Sequence, residues 1–409
     1  MNTHTLLDRF LRYVRIDTKA DDKATTYPSS PGQLVLGAML RDELHAMGVT
    51  DAIQNEYGLV FGTIPGNVPG APTIAFNAHV DTNPENSGHN VQPQIIRNYP
   101  GGDIPLPNNG LVIRVAENPE LNSLIGKTII TTDGTTLLGA DDKAGVAVIM
   151  EAARILMENP HIPHGPIRIV FTCDEEIGWG VKHLEPAQIG AVVAYTLDGA
   201  GTGEIEDETF SADAATVTIT GVNIHPSIAK GRMVNAIRLA AQFIDRLPKR
   251  HCSPETTADR EGFLHPLHIE GGVGEVKIQL LLRSFDTPEL TAQADLLREI
   301  ARHIERDYPE AKIQVHTRKQ YRNMKDGIAR MPQAVTFAAE AVRRAGLQPK
   351  YKSIRGGTDG AQLTEKGLPT PNLSTGEHNP HSPLEWTCLE EMEAAVRVVI
   401  ELCQVWAGH

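Results

Sequence analysis

Ile167-Arg168-Ile169-Val170-Phe171-Thr172, followed at once by Cys173-Asp174-Glu175-Glu176-Ile177-Gly178, is the stretch on which the fold turns. Six residues dominated by β-branched and aromatic side chains fit a strand buried on both faces. Upstream, Val146, Ile149, Met150, Ala153, Ile155, Leu156 and Met157 follow a helical period that stops before Pro160. Downstream, residues 191–197 form a second apolar run that ends in Asp198-Gly199. Strands alternating with helices predict an open α/β sheet, whose ligands bind beyond the carboxyl ends of the strands.

Two further stretches place chemistry at such ends. Residues 58–64 and 73–77 are β-rich, and the turn-forming Pro65-Gly66-Asn67-Val68-Pro69-Gly70 between them predicts a strand pair. The second run ends in Ala78-His79-Val80-Asp81-Thr82, where the two-residue period of a strand puts His79 and Asp81 on one side. A carboxylate there can hold the far nitrogen of a ligating imidazole. Leu137-Leu138-Gly139-Ala140-Asp141-Asp142-Lys143-Ala144-Gly145 is an acidic loop running into the 146–157 helix. Alone it fits an ordinary helix N-cap. His79, Asp141, Glu175, Glu176 and Asp198 all fall at or near strand ends, and together they point to a cation site.

Composition bounds the function. The chain has 409 residues, 41% hydrophobic and 22% charged, and a formal charge of −13. That suits a globular protein of about two domains and disfavours nucleic acid or an anionic membrane as partner. Cys173, Cys252, Cys388 and Cys403 lack the spacing of a zinc site or a disulfide framework. The N-terminus, Met1 to Asp17, has no signal-peptide pattern and is predicted as an amphipathic helix with Leu6, Leu7, Phe10, Leu11 and Val14 on one side. No apolar run is long enough for a membrane span, so a cytoplasmic location is expected.

Residues 30–47 repeat the helical period and stop at Gly48, while residues 83–135, rich in Pro, Gly and Asn, predict loops and short strands without a core of their own. From about Phe210 the order becomes strand (214–221), helix (233–247), two strands (265–269 and 275–283), helix (288–308) and strand (312–317). This βαββαβ order is a split βαβ unit, ferredoxin-like and complete in itself. The expected organisation is an α/β catalytic domain of residues 1–209 and 323–409 with an inserted α+β domain of residues 210–322. After the insert come the loop Arg355-Gly356-Gly357-Thr358-Asp359-Gly360, the stretch Glu377-His378-Asn379-Pro380-His381-Ser382, and a closing helix from Leu389.

Two His and several carboxylates without thiolates form a ligand set for Zn, Mn or Co. One ion could take His79 and another His381, each with a carboxylate from Asp198 or Glu176, while Asp141 bridges; His378 is a rival to His381. These ligands carry three negative charges against four positive ones, which suits a two-metal hydrolase. Glu175, not needed as a ligand, is free to act as general base. Arg355 beside glycine amides suits a substrate carboxylate.

The combination of Ala78 to Thr82, Gly139 to Gly145, Asp174 to Gly178, Ile224-His225-Pro226, Arg355 to Gly360 and His381 resembles the tripeptide aminopeptidases of the co-catalytic zinc peptidase and deacylase superfamily. The resemblance extends over essentially the whole chain. It implies two Zn2+, with Co2+ or Mn2+ as substitutes: His79 and Asp198 on one, Glu176 and His381 on the other, Asp141 bridging through a residue followed by a cis peptide. It further implies that Asp81 orients His79 and Glu175 is the general base. The insert would be a lid offering His225 to the oxyanion, with Asn235, Arg283 and Arg355 binding a short peptide substrate. A homodimer is the assembly entertained, with no nucleic-acid or membrane partner. Within the superfamily a dipeptidase or an N-acyl-amino-acid deacylase is the neighbouring reading, and a non-catalytic peptide- or metal-binding protein the reading from another class. The chain departs from the family pattern at Cys173, Trp179, Ser227, Pro380 and residues 382–386.

Overall fold

In the computed structural model, which describes residues 3–409, the chain falls into two compact units. One comprises Met1–Asp207, Met324–Ser353 and Thr358–His409, the other Glu208–Asn323 with Ile354–Gly357. Arg355 therefore belongs to the second unit, although 30 residues separate it from the rest of that unit's chain.

The first unit is built on a sheet whose central strands, Ile167–Thr172, Ile74–His79, Val193–Ala200 and Asn372–His378, run parallel in that spatial order. Alternation along each strand feeds two hydrophobic layers. Phe76, Ile169, Phe171, Val193, Tyr195 and Leu197 pack toward the helices Thr3–Val14, Pro31–Ala46, Ala140–Glu158, Gln333–Arg344 and Leu389–Ala407. Ala75, Val170 and Ala194 point the other way, toward Val181, Leu184, Ile189 and Leu363. Burial on both faces is why these strands read as continuous apolar runs. The N-terminal helix buries Leu6, Leu7, Phe10 and Val14, as its pattern predicts; Met1 and Asn2 lie outside the described residues.

Two expectations are corrected. Val60–Ile64 and Ile74–His79 do not pair with each other, because Ile167–Thr172 lies between them, antiparallel to the first and parallel to the second. The Pro/Gly-rich connection wraps the entry to that strand: the Asn67 and Val68 amides donate to the His164 carbonyl, and Asn67 Oδ1 accepts from the His164 amide at 2.8 Å. Residues 83–135 are not coreless: they supply most of a separate hydrophobic cluster that Trp386 and Cys388 complete. Tyr99, Ile104, Leu106, Ile113, Leu121, Leu124 and Ile129 gather around Trp386 and Cys388. The apolar residues are spread thinly through loop-forming sequence, and their common partner lies more than 250 residues downstream, so no local period reveals them.

The second unit is a four-stranded antiparallel sheet in the order Phe263–Gly271, Glu275–Ser284, Ser211–Thr220, Lys312–Tyr321. The helices Ala236–Asp245 and Thr287–Asp307 contribute Leu239, Phe243, Leu297 and Ile304 to its core, against Val217, Ile219, Ile278 and Leu280. All four cysteines are free, and no helix among the described residues is long and apolar enough to cross a membrane.

Candidate active site

The site forms where the parallel strands of the first unit end. His79 closes a fully buried strand and is itself 2% exposed. Its Nδ1 lies 3.1 Å from the main-chain oxygen of Asp81 and 3.4 Å from Asp81 Oδ1. Both are acceptors, so Nδ1 carries a proton, while Nε2 faces the Asp141 carboxylate and is the nitrogen that can exchange its proton for a cation. The Asp81 carboxylate does more than orient the ring: it accepts from the amides of Glu175 at 3.0 Å and Glu176 at 3.1 Å, tying the end of one strand to the turn after its neighbour.

Asp141 and Asp142 divide the two readings of their loop between them. Both depart from helical dihedrals inside the Ala140–Glu158 helix, and the peptide joining them is cis, as the resemblance implies. Asp142 is the cap: one oxygen accepts from the Gly145 amide at 3.2 Å and the other from the His79 amide at 3.0 Å. Asp141 is thereby left to face the site. Its Oδ1 lies 3.0 Å from His79 Nε2 and its Oδ2 3.0 Å from His381 Nε2. Gly145 permits this approach, since a Cβ there would sit 1.8 Å from the Leu197 carbonyl oxygen.

Glu176 Oε2 lies 2.9 Å from His381 Nε2, and Glu176 Oε1 is buried with no hydrogen-bond partner among the described residues. Asp198 Oδ1 lies 3.7 Å from His79 Nε2. Asp198 is an extra residue in the ladder, because Leu197 pairs with Leu373 and Gly199 with Ser374. The side chain of Asn372 takes up the backbone of this bulge, accepting from the Asp198 amide at 3.1 Å and donating to its carbonyl at 2.8 Å. Glu206 Oε2 accepts from the same Asn372 Nδ2 at 2.6 Å and fixes the orientation of the amide. His381, at φ +60, is held by Asn83 at Nδ1 (3.0 Å) and by Asn86, which donates to its carbonyl at 2.7 Å. His378 points elsewhere, stacked on Trp386 at 3.7 Å and 2.7 Å from Glu391.

Several groups play supporting roles that the local sequence does not reveal. Glu385, 1% exposed, accepts from the amides of Leu138 and Gly139, each at 2.7 Å, and of Asp141 at 3.0 Å. Asp174, at φ +61, accepts from the Ser29 amide and Gln33 Nε2 and so anchors the turn carrying Glu175 and Glu176. Asp359 Oδ2 accepts from Thr172 Oγ1 at 2.5 Å, and its other oxygen is buried without a partner among the described residues. Glu377, buried one strand from Asp198, offers an oxygen within 4.8 Å of ligand atoms of Asp141 and Asp198.

The electrostatics follow from crowding. Burial, then the neighbouring Asp141, pushes Asp198 up to about 6 and Glu176 up to about 7, against the pull of His79 and His381. Burial raises Glu175 well above the ordinary carboxyl range. For His79 burial works downward, but contacts with Asp141, Asp198 and Asp81 reverse it and raise the imidazole well above its usual value. Asp141, facing two imidazoles, is lowered despite its burial. Excess buried negative charge, two imidazole Nε2 atoms whose protons a cation can replace, a carboxylate shared between them and an orphaned Glu176 oxygen fit a pair of divalent cations.

The remaining candidates lie in the second unit, each with a local partner. His225 is exposed, with Nδ1 2.7 Å from Ser227 Oγ. Asn235 caps the Ala236–Asp245 helix, accepting from the Ile237 amide at 2.9 Å. Arg283 is buried and donates to the carbonyls of Asp213 and Leu282. Arg355 donates to the carbonyls of Asp259 and Glu261 and to Thr257 Oγ1, with its guanidinium 5.2 Å from the Phe210 ring centroid.

Comparison with known proteins gives the family. Residues 138–405 match the model of peptidase family M20/M25/M40. The chain is 44% identical over 403 residues to Peptidase T of Geobacillus thermodenitrificans, and 43% identical over 402 residues to Peptidase T of Bacillus subtilis, with 98% of both chains covered in each case. Its fold is similar to the crystal structure of aminopeptidase PepT from Bacillus cereus, with a TM-score of 0.77, 25% identity, and 100% and 99% of the two chains covered. A match over most of the chain, relatives at this identity, and a His-carboxylate cluster at the strand ends agree: the chain belongs to peptidase family M20/M25/M40.

Proposed function

We propose that this chain is a tripeptide aminopeptidase that holds two divalent cations, zinc by its nitrogen and oxygen donors, with cobalt or manganese as substitutes. The observation that carries the reading is Asp141, which turns one carboxylate oxygen to His79 Nε2 and the other to His381 Nε2. His79 and Asp198 would hold one ion, Glu176 and His381 the other, with Asp141 shared. Cations held there supply Lewis-acid activation of a water and of the scissile carbonyl.

The chain's own residues supply the rest. Glu175 is the general base. Asp81 fixes its amide, the Gly178 amide donates to its carbonyl at 2.7 Å, and burial raises its proton affinity. A carboxylate so tuned takes the proton of the attacking water and returns it to the leaving amine nitrogen. Asp81 keeps His79 in the tautomer with Nε2 facing the site. His225 is assigned to the carbonyl oxygen of the substrate, and Asn235, Arg283 and Arg355 to the peptide and its terminal carboxylate. The names of the relatives support the tripeptide assignment.

The test is to incubate the cation-loaded protein with matched di-, tri- and tetrapeptides and an N-acetylated tripeptide, and to identify products by mass. Release of the first residue from the tripeptide alone is expected. Cleavage of the acetylated or two-residue substrate in preference to it would overturn the assignment.

A further inference from the structure

The family-implied donors leave one buried carboxylate at the site without a task. Glu377 is 6% exposed, yet its side chain has a single hydrogen bond among the described residues, a long one of 3.4 Å from Thr375 Oγ1 to Oε2. An ionised carboxylate removed from water needs a countercharge or several strong donors. Among the described residues no Lys or Arg pairs with it. What lies near it is the cation site itself: Glu377, Asp141 and Asp198 each offer an oxygen, all within 4.8 Å of one another.

Its position is built by the strand. Asn372–His378 pairs parallel with Val193–Ala200, but the register runs Leu373 to Leu197, Ser374 to Gly199, then Glu377 to Ala200. Gly376 within that irregularity has φ +88, a conformation an L side chain rarely adopts, and a Cβ there would lie 2.7 Å from Glu391 Cβ. The break brings Glu377 alongside the bulge that presents Asp198.

Resting on the cation pair proposed above, we infer that Glu377 is a further oxygen ligand of the ion shared by His79, Asp198 and Asp141. That half of the site would then be distinguished from the half at Glu176 and His381. It offers one imidazole and three carboxylates, an oxygen-rich set suited to a coordination number above four and to Mn2+ more than to Zn2+. With Glu377 counted, the four carboxylates Asp141, Asp198, Glu176 and Glu377 balance the charge of two divalent ions.

The test strips the full-length protein with chelator and titrates it separately with MnCl2 and ZnCl2, counting bound ions per chain and their dissociation constants. Wild type should bind two ions of either metal. Glu377→Gln, isosteric and uncharged, should weaken one of the two Mn2+ sites at least tenfold and the corresponding Zn2+ site less. Unchanged affinity for both metals, or an equal loss for both, would overturn the inference. A wild-type protein binding fewer than two ions would instead bring down the cation pair itself, and the inference with it. If Glu377→Gln does not fold, the Co2+-loaded wild type decides. Weak visible bands from a five- or six-coordinate ion support Glu377 as ligand, and intense bands from two tetrahedral ions contradict it.

Discussion

The strand-end cluster of the first unit and the candidate substrate residues of the second are built on opposite principles. At the cluster, polar side chains converge on one another and leave like charges buried together: Asp198 and Glu176 are pushed up by burial and by Asp141, and Glu176 Oε1 has no partner. In the second unit Asn235 satisfies a helix end, and Arg283 and Arg355 satisfy main-chain carbonyls. An incomplete set of partners declares its function, because only something from outside can complete it. A satisfied side chain looks the same whether it awaits a substrate or braces a fold.

The comparison breaks most visibly at Asp141. Asp141→Asn should remove the shared ligand and lower kcat/KM by roughly a thousandfold or more, the scale of several kcal/mol of lost charge stabilisation. Turnover within tenfold of wild type would refute the bridging role. Next, Glu175→Gln should lose roughly 10²- to 10⁴-fold in kcat while metal content stays at the wild-type level, since it removes a proton acceptor and no ligand. A fall in bound metal would reassign Glu175 as a ligand.

Smaller effects sharpen the boundary between site and support. Asn372→Ala, which unties the Asp198 bulge, and Glu385→Gln, which loosens the Asp141 loop, should each weaken metal binding by roughly 10- to 100-fold, read by competition with a chromophoric chelator. His378→Ala should leave metal affinity unchanged and lower stability by about 1–3 kcal/mol in urea melts, because His378 pairs with Glu391 and stacks on Trp386. Loss of a cation in that variant would exchange the roles of His378 and His381.

The pH dependence of the chelated protein carries the same contrast. Asp198, Glu176, Glu385 and Asp359 have folded-state values of about 6 to 7, above the roughly 4 of an unfolded carboxyl. Between those values the folded chain binds more protons than the unfolded one, so stability falls as pH rises from about 4 to 7. His79, also raised, adds in the same direction, since its contribution is present at low pH and lost as pH climbs through its folded value. The chelated protein should therefore melt at a higher temperature at pH 5 than at pH 7.5, and cation loading should erase the difference. A chelated protein more stable at pH 7.5 would contradict the charge crowding described for the site.

Much of this was legible in the sequence because parallel strands buried on both faces advertise themselves, and their ends are where ligands gather. His79, Asp141, Glu176 and Asp198 stood out by strand-end position, His381 was separable from its rival His378 only through the family resemblance, and the βαββαβ order announced the second unit. Illegible parts depend on chain segments far apart in sequence. Ile167–Thr172 separates two strands that the turn-rich link between them predicts as a pair, and the core around Trp386 draws on residues 99–129. Asn372, Glu385 and Glu377 are ordinary polar residues until the fold sets them against Asp198 and Asp141. Asp142 shows the limit most clearly, since of two neighbouring identical residues one caps the helix and the other faces His79 and His381, and only dihedral angles distinguish them.

The central claim, that Asp141 joins two cations held from opposite sides by His79 and His381, is tested most directly by counting metal. Elemental analysis of zinc-loaded, gel-filtered protein should give two ions per chain for wild type and at most one for Asp141→Asn. Two ions retained in Asp141→Asn, or one in wild type, would contradict it.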